Sequence, residues 1–138
     1  MSPRWETNTD IRRGRSVVHT LRVHFVFVPK DRRGVLTADL LTRCEEVMGD
    51  VCTDFGAELT EFNGGRDHVH LLVHYPPKIA LSRLIGSLKG VSARRLRQEY
   101  PDHLRDDHLW SPSYFAASAG EAPLTMVKEY IENQKHPG

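Results

Sequence analysis

Apolar and polar positions alternate over two stretches of the chain and recur at helical spacing over three others. From Val17 to Val28, the residues Val17, Leu21, Val23, Phe25 and Phe27 fall on one side and Val18, Thr20, Arg22, His24, Val26 and Val28 on the other, because successive side chains of a strand point to opposite faces. The first set is expected to face the core. Pro29 ends this strand, and Lys30-Asp31-Arg32-Arg33-Gly34 follows as a basic loop. Thr37 fits an N-cap, and Leu40, Leu41, Cys44, Val47, Met48, Val51, Cys52 and Phe55 then predict a helix that Gly56 stops. Residues 57–62 predict a short strand that turns at Asn63-Gly64-Gly65 into a second alternating run. In that run Val69, Leu71 and Val73 share one side, and His68, His70, Leu72 and His74 the other, before Pro76-Pro77 terminates it.

A second helix is predicted over about residues 80–98, with Leu81, Leu84, Ile85, Leu88, Val91 and Leu96 inward. Arg83, Lys89, Arg94, Arg95 and Arg97 make it the most basic element, which fits a solvated face as well as a phosphate-contacting one. A last strand is expected around Leu109–Ala116, where Pro112 points to an edge or a bulge. Pro123 suits the first turn of a third helix over 121–136. The order strand, helix, strand, strand, helix, strand is that of a ferredoxin-like, RRM-like α+β domain. Such a domain has an antiparallel sheet with its first and third strands central, two helices on one face, and the other face left open. Here an additional C-terminal helix follows.

The 138 residues are expected to form one domain, 1–138, with 1–16 as a loose polar arm bearing Arg12, Arg13 and Arg15. An apolar fraction of 39% and a charged fraction of 27% fit an ordinary globule. A net charge of +1 leaves any case for nucleic acid to local patches. No apolar run would span a bilayer and the first residues lack the core of a signal peptide, so the cytoplasm is the expected compartment, with no membrane partner. Cys44 and Cys52 lie on one predicted helix, too far apart to bridge, and read as buried reduced thiols.

Two features carry chemistry. Imidazoles at i and i+2 of a strand stand roughly 6–7 Å apart, near enough to share a cation, although a His-x-His pair on its own more often marks hydrogen-bonded surface histidines. On the last helix Tyr130 and Gln134, four residues apart, share a face. A free phenol has a pKa of about 10 and is a sluggish nucleophile at neutral pH. A divalent cation beside it favours the phenolate and polarises a phosphodiester. Gln134 could complete the shell of such an ion through its carbonyl oxygen.

His68-Val69-His70 on the third strand, followed by a helix bearing Tyr130-Ile131-Glu132-Asn133-Gln134, resembles the single-tyrosine HUH transposases of the insertion-sequence TnpA type. REP-associated tyrosine transposases are near relatives of that family. The likeness runs end to end, through Arg22-Val23-His24-Phe25, Lys30-Asp31-Arg32-Arg33, Ser87-Leu88-Lys89-Gly90 and Leu109-Trp110-Ser111-Pro112-Ser113-Tyr114. It implies a bacterial or archaeal, nucleoid-associated strand transferase for single-stranded DNA with hairpin ends. Tyr130 would form a 5′-phosphotyrosine intermediate, and His68, His70 and Gln134 would hold Mg²⁺ or Mn²⁺. It also implies a homodimer with active sites shared between chains, for which Ala116-Ala117-Ser118-Ala119-Gly120 offers the small residues of a hinge. Arg22, His24, Arg32, Arg33, Lys89, Arg94 and Arg95 are the candidate DNA contacts. A non-catalytic single-strand-binding module, a hydrolase using activated water and a domesticated REP-associated transposase are the alternatives.

Overall fold

The computed structural model describes residues 21–30, 34–104, 108–119 and 124–135; in the last span, side chains are described for 128–133. The elements are β1 (Leu21–Pro29), α1 (Ala38–Asp54), β2 (Glu58–Gly65), β3 (His68–Tyr75), α2 (Leu81–Glu99), β4 (Trp110–Ser118) and α3 (Leu124–Lys135). The strands form one sheet in the order β2-β3-β1-β4, every neighbouring pair antiparallel. This is the α+β architecture expected, with β1 and β3 central and α3 added at the end.

The alternation in β1 and β3 builds the core. Val23, Phe25 and Phe27 join Val69, Leu71 and Val73 in one apolar cluster with Leu40, Cys44 and Met48 of α1 and Leu84 and Leu88 of α2. Burial of each large apolar side chain contributes about 1.5–3 kcal/mol, so this face holds the two helices. Thr37 caps α1 by accepting from Leu40 N–H at 3.3 Å. Gly56 ends it with a φ of +73°, a left-handed conformation that glycine adopts without a Cβ penalty. Cys44 and Cys52 are free and buried, and burial pushes both thiols up to about 12, as suits packing residues rather than nucleophiles.

Two local expectations change. The hairpin turn falls at Arg66-Asp67, because Gly65 already pairs with His68 and Gly64 with Val69 inside the ladder. Gly64 is a close-approach glycine: a Cβ there would stand 2.9 Å from Leu41 Cδ2 and 3.0 Å from the His68 carbonyl oxygen. The small-residue run proposed as a hinge is strand as far as Ser118, with Ala116, Ala117 and Ser118 paired to Phe25, His24 and Val23. Pro112 does lie in an edge strand, beside a register shift between Phe27 and Pro29.

Among the described residues two polar side chains are buried, Ser92 and Ser111. Ser92, fully buried on α2, donates to the Leu88 carbonyl at 2.6 Å and accepts from Trp110 Nε1 at 2.9 Å, tying α2 to the start of β4. Ser92→Ala would leave the indole N–H buried without that acceptor, at a cost of about 1–3 kcal/mol. Urea denaturation is therefore expected to show a lowered midpoint with an unchanged slope.

Candidate active site

The site is built on the sheet face opposite α1 and α2. Even-numbered positions of β3 and β1 project there, so His68, His70, Arg22 and His24 share one side. The face is not left open as expected. Val26 and Val28 are essentially fully buried and Leu72 nearly so, and α3 rests against β1. These apolar residues stand on the "polar" side of the alternation, the side on which Tyr130 of α3 meets Phe115.

The two histidines of β3 are held differently. His68 Nδ1 lies 3.0 Å from Asp67 Oδ1, so an Nδ1–H donated to the carboxylate leaves Nε2 with a free lone pair. His70 Nε2 lies 2.8 Å from Nδ1 of His24, and the two rings tilt at 34° with centroids 5.0 Å apart. If His70 is the donor, its Nδ1 is the nitrogen left for a ligand; if His24 is the donor, a ligand at Nε2 must displace it. Burial, then the neighbouring His24 imidazole, lowers the His70 pKa against a smaller opposing pull from Glu61. The ring is thus kept neutral at physiological pH, the form that binds metal.

Tyr130, half-buried on α3, stands over β4. Its ring lies 5.4 Å from that of Phe115, centroid to centroid, and its hydroxyl 3.4 Å from Ser113 Oγ. Phe115 pairs with Val26, which pairs with His70, so the phenol and the histidines occupy neighbouring rows of one face. The strands beneath them, β4 and β3, run two spacings apart, about 10 Å.

The Gln134 side chain lies outside the described residues, as do Arg32, Arg33 and the arm 1–16. Among the described residues no group of three or more His, Cys, Asp and Glu side chains is arranged to hold a metal. The two neutral imidazoles of β3 suit part of the ligand set of a divalent first-row ion, with an oxygen donor still required. Of the candidate DNA contacts, Arg22 is exposed on the histidine face. Arg94 and Arg95 belong to α2, on the far side of the sheet. Lys89 is tied to that side too: Nζ donates to the Ser111 carbonyl at 2.8 Å and sits 5.3 Å from the centroid of the Tyr114 ring. Its burial lowers its pKa. The contacts of Asp67 with His68 and of Ser113 and Phe115 with Tyr130 were not read from the sequence. Asp67, next to a His-x-His pair at a strand start, was the one legible signal.

An antiparallel β2-β3-β1-β4 sheet thus carries two histidines on β3 and a tyrosine-bearing terminal helix across the same face. The chain belongs to the IS200-like transposase family, whose model matches residues 17–134. It is 31% identical over 128 residues to the ISDra2 transposase TnpA of Deinococcus radiodurans, covering 91% of each chain. It is 27% identical over 126 residues to the transposase of insertion sequence element IS200 from Salmonella typhimurium, covering 87% of this chain and 82% of that one. Among solved structures, a candidate transposase from Deinococcus radiodurans R1 superposes with a TM-score of 0.79 at 31% identity, over 89% of this chain and 97% of that one. A REP-associated tyrosine transposase bound to a REP hairpin shares the fold, with a TM-score of 0.58 at 15% identity, over 91% of this chain and 73% of that one. No helix among the described residues is long and apolar enough to cross a membrane.

Proposed function

We propose that this chain cleaves and rejoins single-stranded DNA at insertion-sequence ends through a phosphotyrosine formed on Tyr130. One observation supports the reading above others: in a chain of a transposase family, Tyr130 and the His68/His70 pair stand on the same sheet face. In the proposed step the Tyr130 oxygen bonds to phosphorus as the P–O3′ bond breaks. The phenolic proton passes to solvent, and the departing 3′ oxygen takes up a proton and leaves as a hydroxyl. The 5′ phosphate remains on the tyrosine as a diester, and a second 3′-hydroxyl can reverse the step without loss to water.

His68 and His70 would hold Mg²⁺ or Mn²⁺, with Gln134 as an oxygen donor. A nitrogen-rich neutral set suits Mn²⁺ at least as well as Mg²⁺. Such an ion, when bound, stabilises charge developing on the phosphoryl oxygens. Arg22 would meet the DNA backbone on this face, with Arg32 and Arg33 as further candidates. Lys89, Arg94 and Arg95, across the sheet, would meet only DNA that wraps round its edge. The chain would work as a homodimer with shared sites.

The test uses a single-stranded oligonucleotide carrying the insertion-sequence end, labelled on the fragment that keeps the 5′ phosphate. With Mn²⁺ or Mg²⁺ the label is expected to migrate with the denatured protein, and EDTA to abolish this. Labelled product without adduct would favour activated water as the nucleophile. Binding without cleavage would favour a non-catalytic single-strand module.

A further inference from the structure

We propose that Asp67 is the positioning residue of the metal site, fixing the tautomer and ring orientation of His68 so that Nε2 faces the ion. This rests on the reading of His68 as a metal ligand. A metal-binding imidazole typically donates its other N–H to a carboxylate or carbonyl, which fixes the tautomer and raises ligand basicity. The Asp67 Oδ1 to His68 Nδ1 distance of 3.0 Å supplies that arrangement between two adjacent residues. Both side chains are largely shielded, at 25% and 21% exposure, so solvent competes weakly for the bond.

Three further features hold the pair in place. Asp67 is the second residue of the two-residue turn that delivers His68 into β3. The first, Arg66, is fastened to the segment before α1: its guanidinium donates to the Gly34 carbonyl at 3.2 and 2.7 Å, and its own carbonyl accepts from Leu36 N–H at 3.1 Å. The ring packs beside Gly65, where even a Cβ would make only ordinary contact. A Cβ there would stand 3.4 Å from His68 Cε1, 3.6 Å from Nδ1 and 3.9 Å from Asp67 Oδ1. The turn is thus braced at Arg66, and the Asp67 carboxylate meets Nδ1 of the ring that follows it. The hold on His70 is different in kind, since His24 engages its Nε2. Of the two imidazoles, His68 is the one whose Nε2 is left for a ligand.

The experiment is titration of the full chain with Mn²⁺ alone, followed by calorimetry and water-proton relaxation, together with ¹⁵N–¹H spectra of the metal-free His68 ring. In the unaltered chain His68 is expected as the Nδ1–H tautomer. Asp67→Ala is expected to shift it toward Nε2–H and to weaken Mn²⁺ binding about 10- to 100-fold. Asp67→Asn, whose amide oxygen can still accept from Nδ1–H, is expected to keep the tautomer and to bind with intermediate affinity. An unchanged tautomer in Asp67→Ala would overturn the proposal. So would unchanged Mn²⁺ affinity in that variant while His68→Ala loses binding. If His68→Ala binds Mn²⁺ as tightly as the unaltered chain, the ligand assignment itself fails, which the tautomer spectra tell apart from a failure of Asp67.

Discussion

Tyr130→Phe is expected to abolish the covalent protein–DNA adduct, with strand cleavage falling by a factor on the order of 10⁴ or more, as when a nucleophile is removed from an enzyme that has no substitute for it. The substitution removes one oxygen and little else. The ring 5.4 Å from Phe115 remains, and the contact given up is the 3.4 Å approach to Ser113 Oγ, longer than an ordinary O–H···O bond. Stability should therefore change by no more than about 0.5 kcal/mol, and thermal melting with single-strand binding would separate lost chemistry from lost fold. Ser113→Ala serves as the control, since it removes the same contact and leaves the nucleophile. An adduct that persists in Tyr130→Phe would place the nucleophile elsewhere. Undiminished release of product without adduct would assign the attack to water.

The parts of this site that could be read from the chain are those set by local rules. The alternation through His68-Val69-His70 places both imidazoles on one face whatever the strand pairs with, and Thr37, Gly56 and Pro112 act within a few residues of themselves. Contacts set by register could not be read this way. The central pairing of the first and third strands already sets His24 beside the β3 histidines; which nitrogens meet, His24 Nδ1 and His70 Nε2 at 2.8 Å on a diagonal of the ladder, follows from register alone. Asn63-Gly64-Gly65 reads as a turn, but the lack of a Cβ at Gly64 answers to Leu41 on α1. Val26, Val28 and Leu72 are buried on the histidine side, where α3 also meets β1, although a six-element count leaves that face free. The basic residues of α2 illustrate the same point from outside the site. Their charge is visible in the sequence, but only the packing of Leu84 and Leu88 against the opposite side of the sheet separates Arg94 and Arg95 from the histidines.

Chains carrying His68→Ala and chains carrying Tyr130→Phe, each inactive alone, are expected to regain activity when mixed and allowed to exchange subunits. The reason is a distance. The Tyr130 hydroxyl lies beside Ser113 on β4, a strand whose backbone runs two spacings, about 10 Å, from that of β3. In-line attack needs the reacting atoms about 3–3.5 Å apart. A phenol seated over β4 has the width of β1 between it and the histidine strand, a gap that a shift of α3 or a phenol from a second copy would close. In a two-fold dimer with shared sites, a mixed pair joins the intact histidines of one chain to the intact tyrosine of the other, restoring one site in two. Random exchange at equal concentrations makes half the dimers mixed, so about a quarter of all sites should work. If each chain instead used its own tyrosine, every site in the mixed dimer would lack one essential group. An inactive mixed dimer, its composition verified by differential tagging, would therefore reject the shared site and require α3 to slide within its own subunit, carrying Tyr130 from Ser113 toward His68.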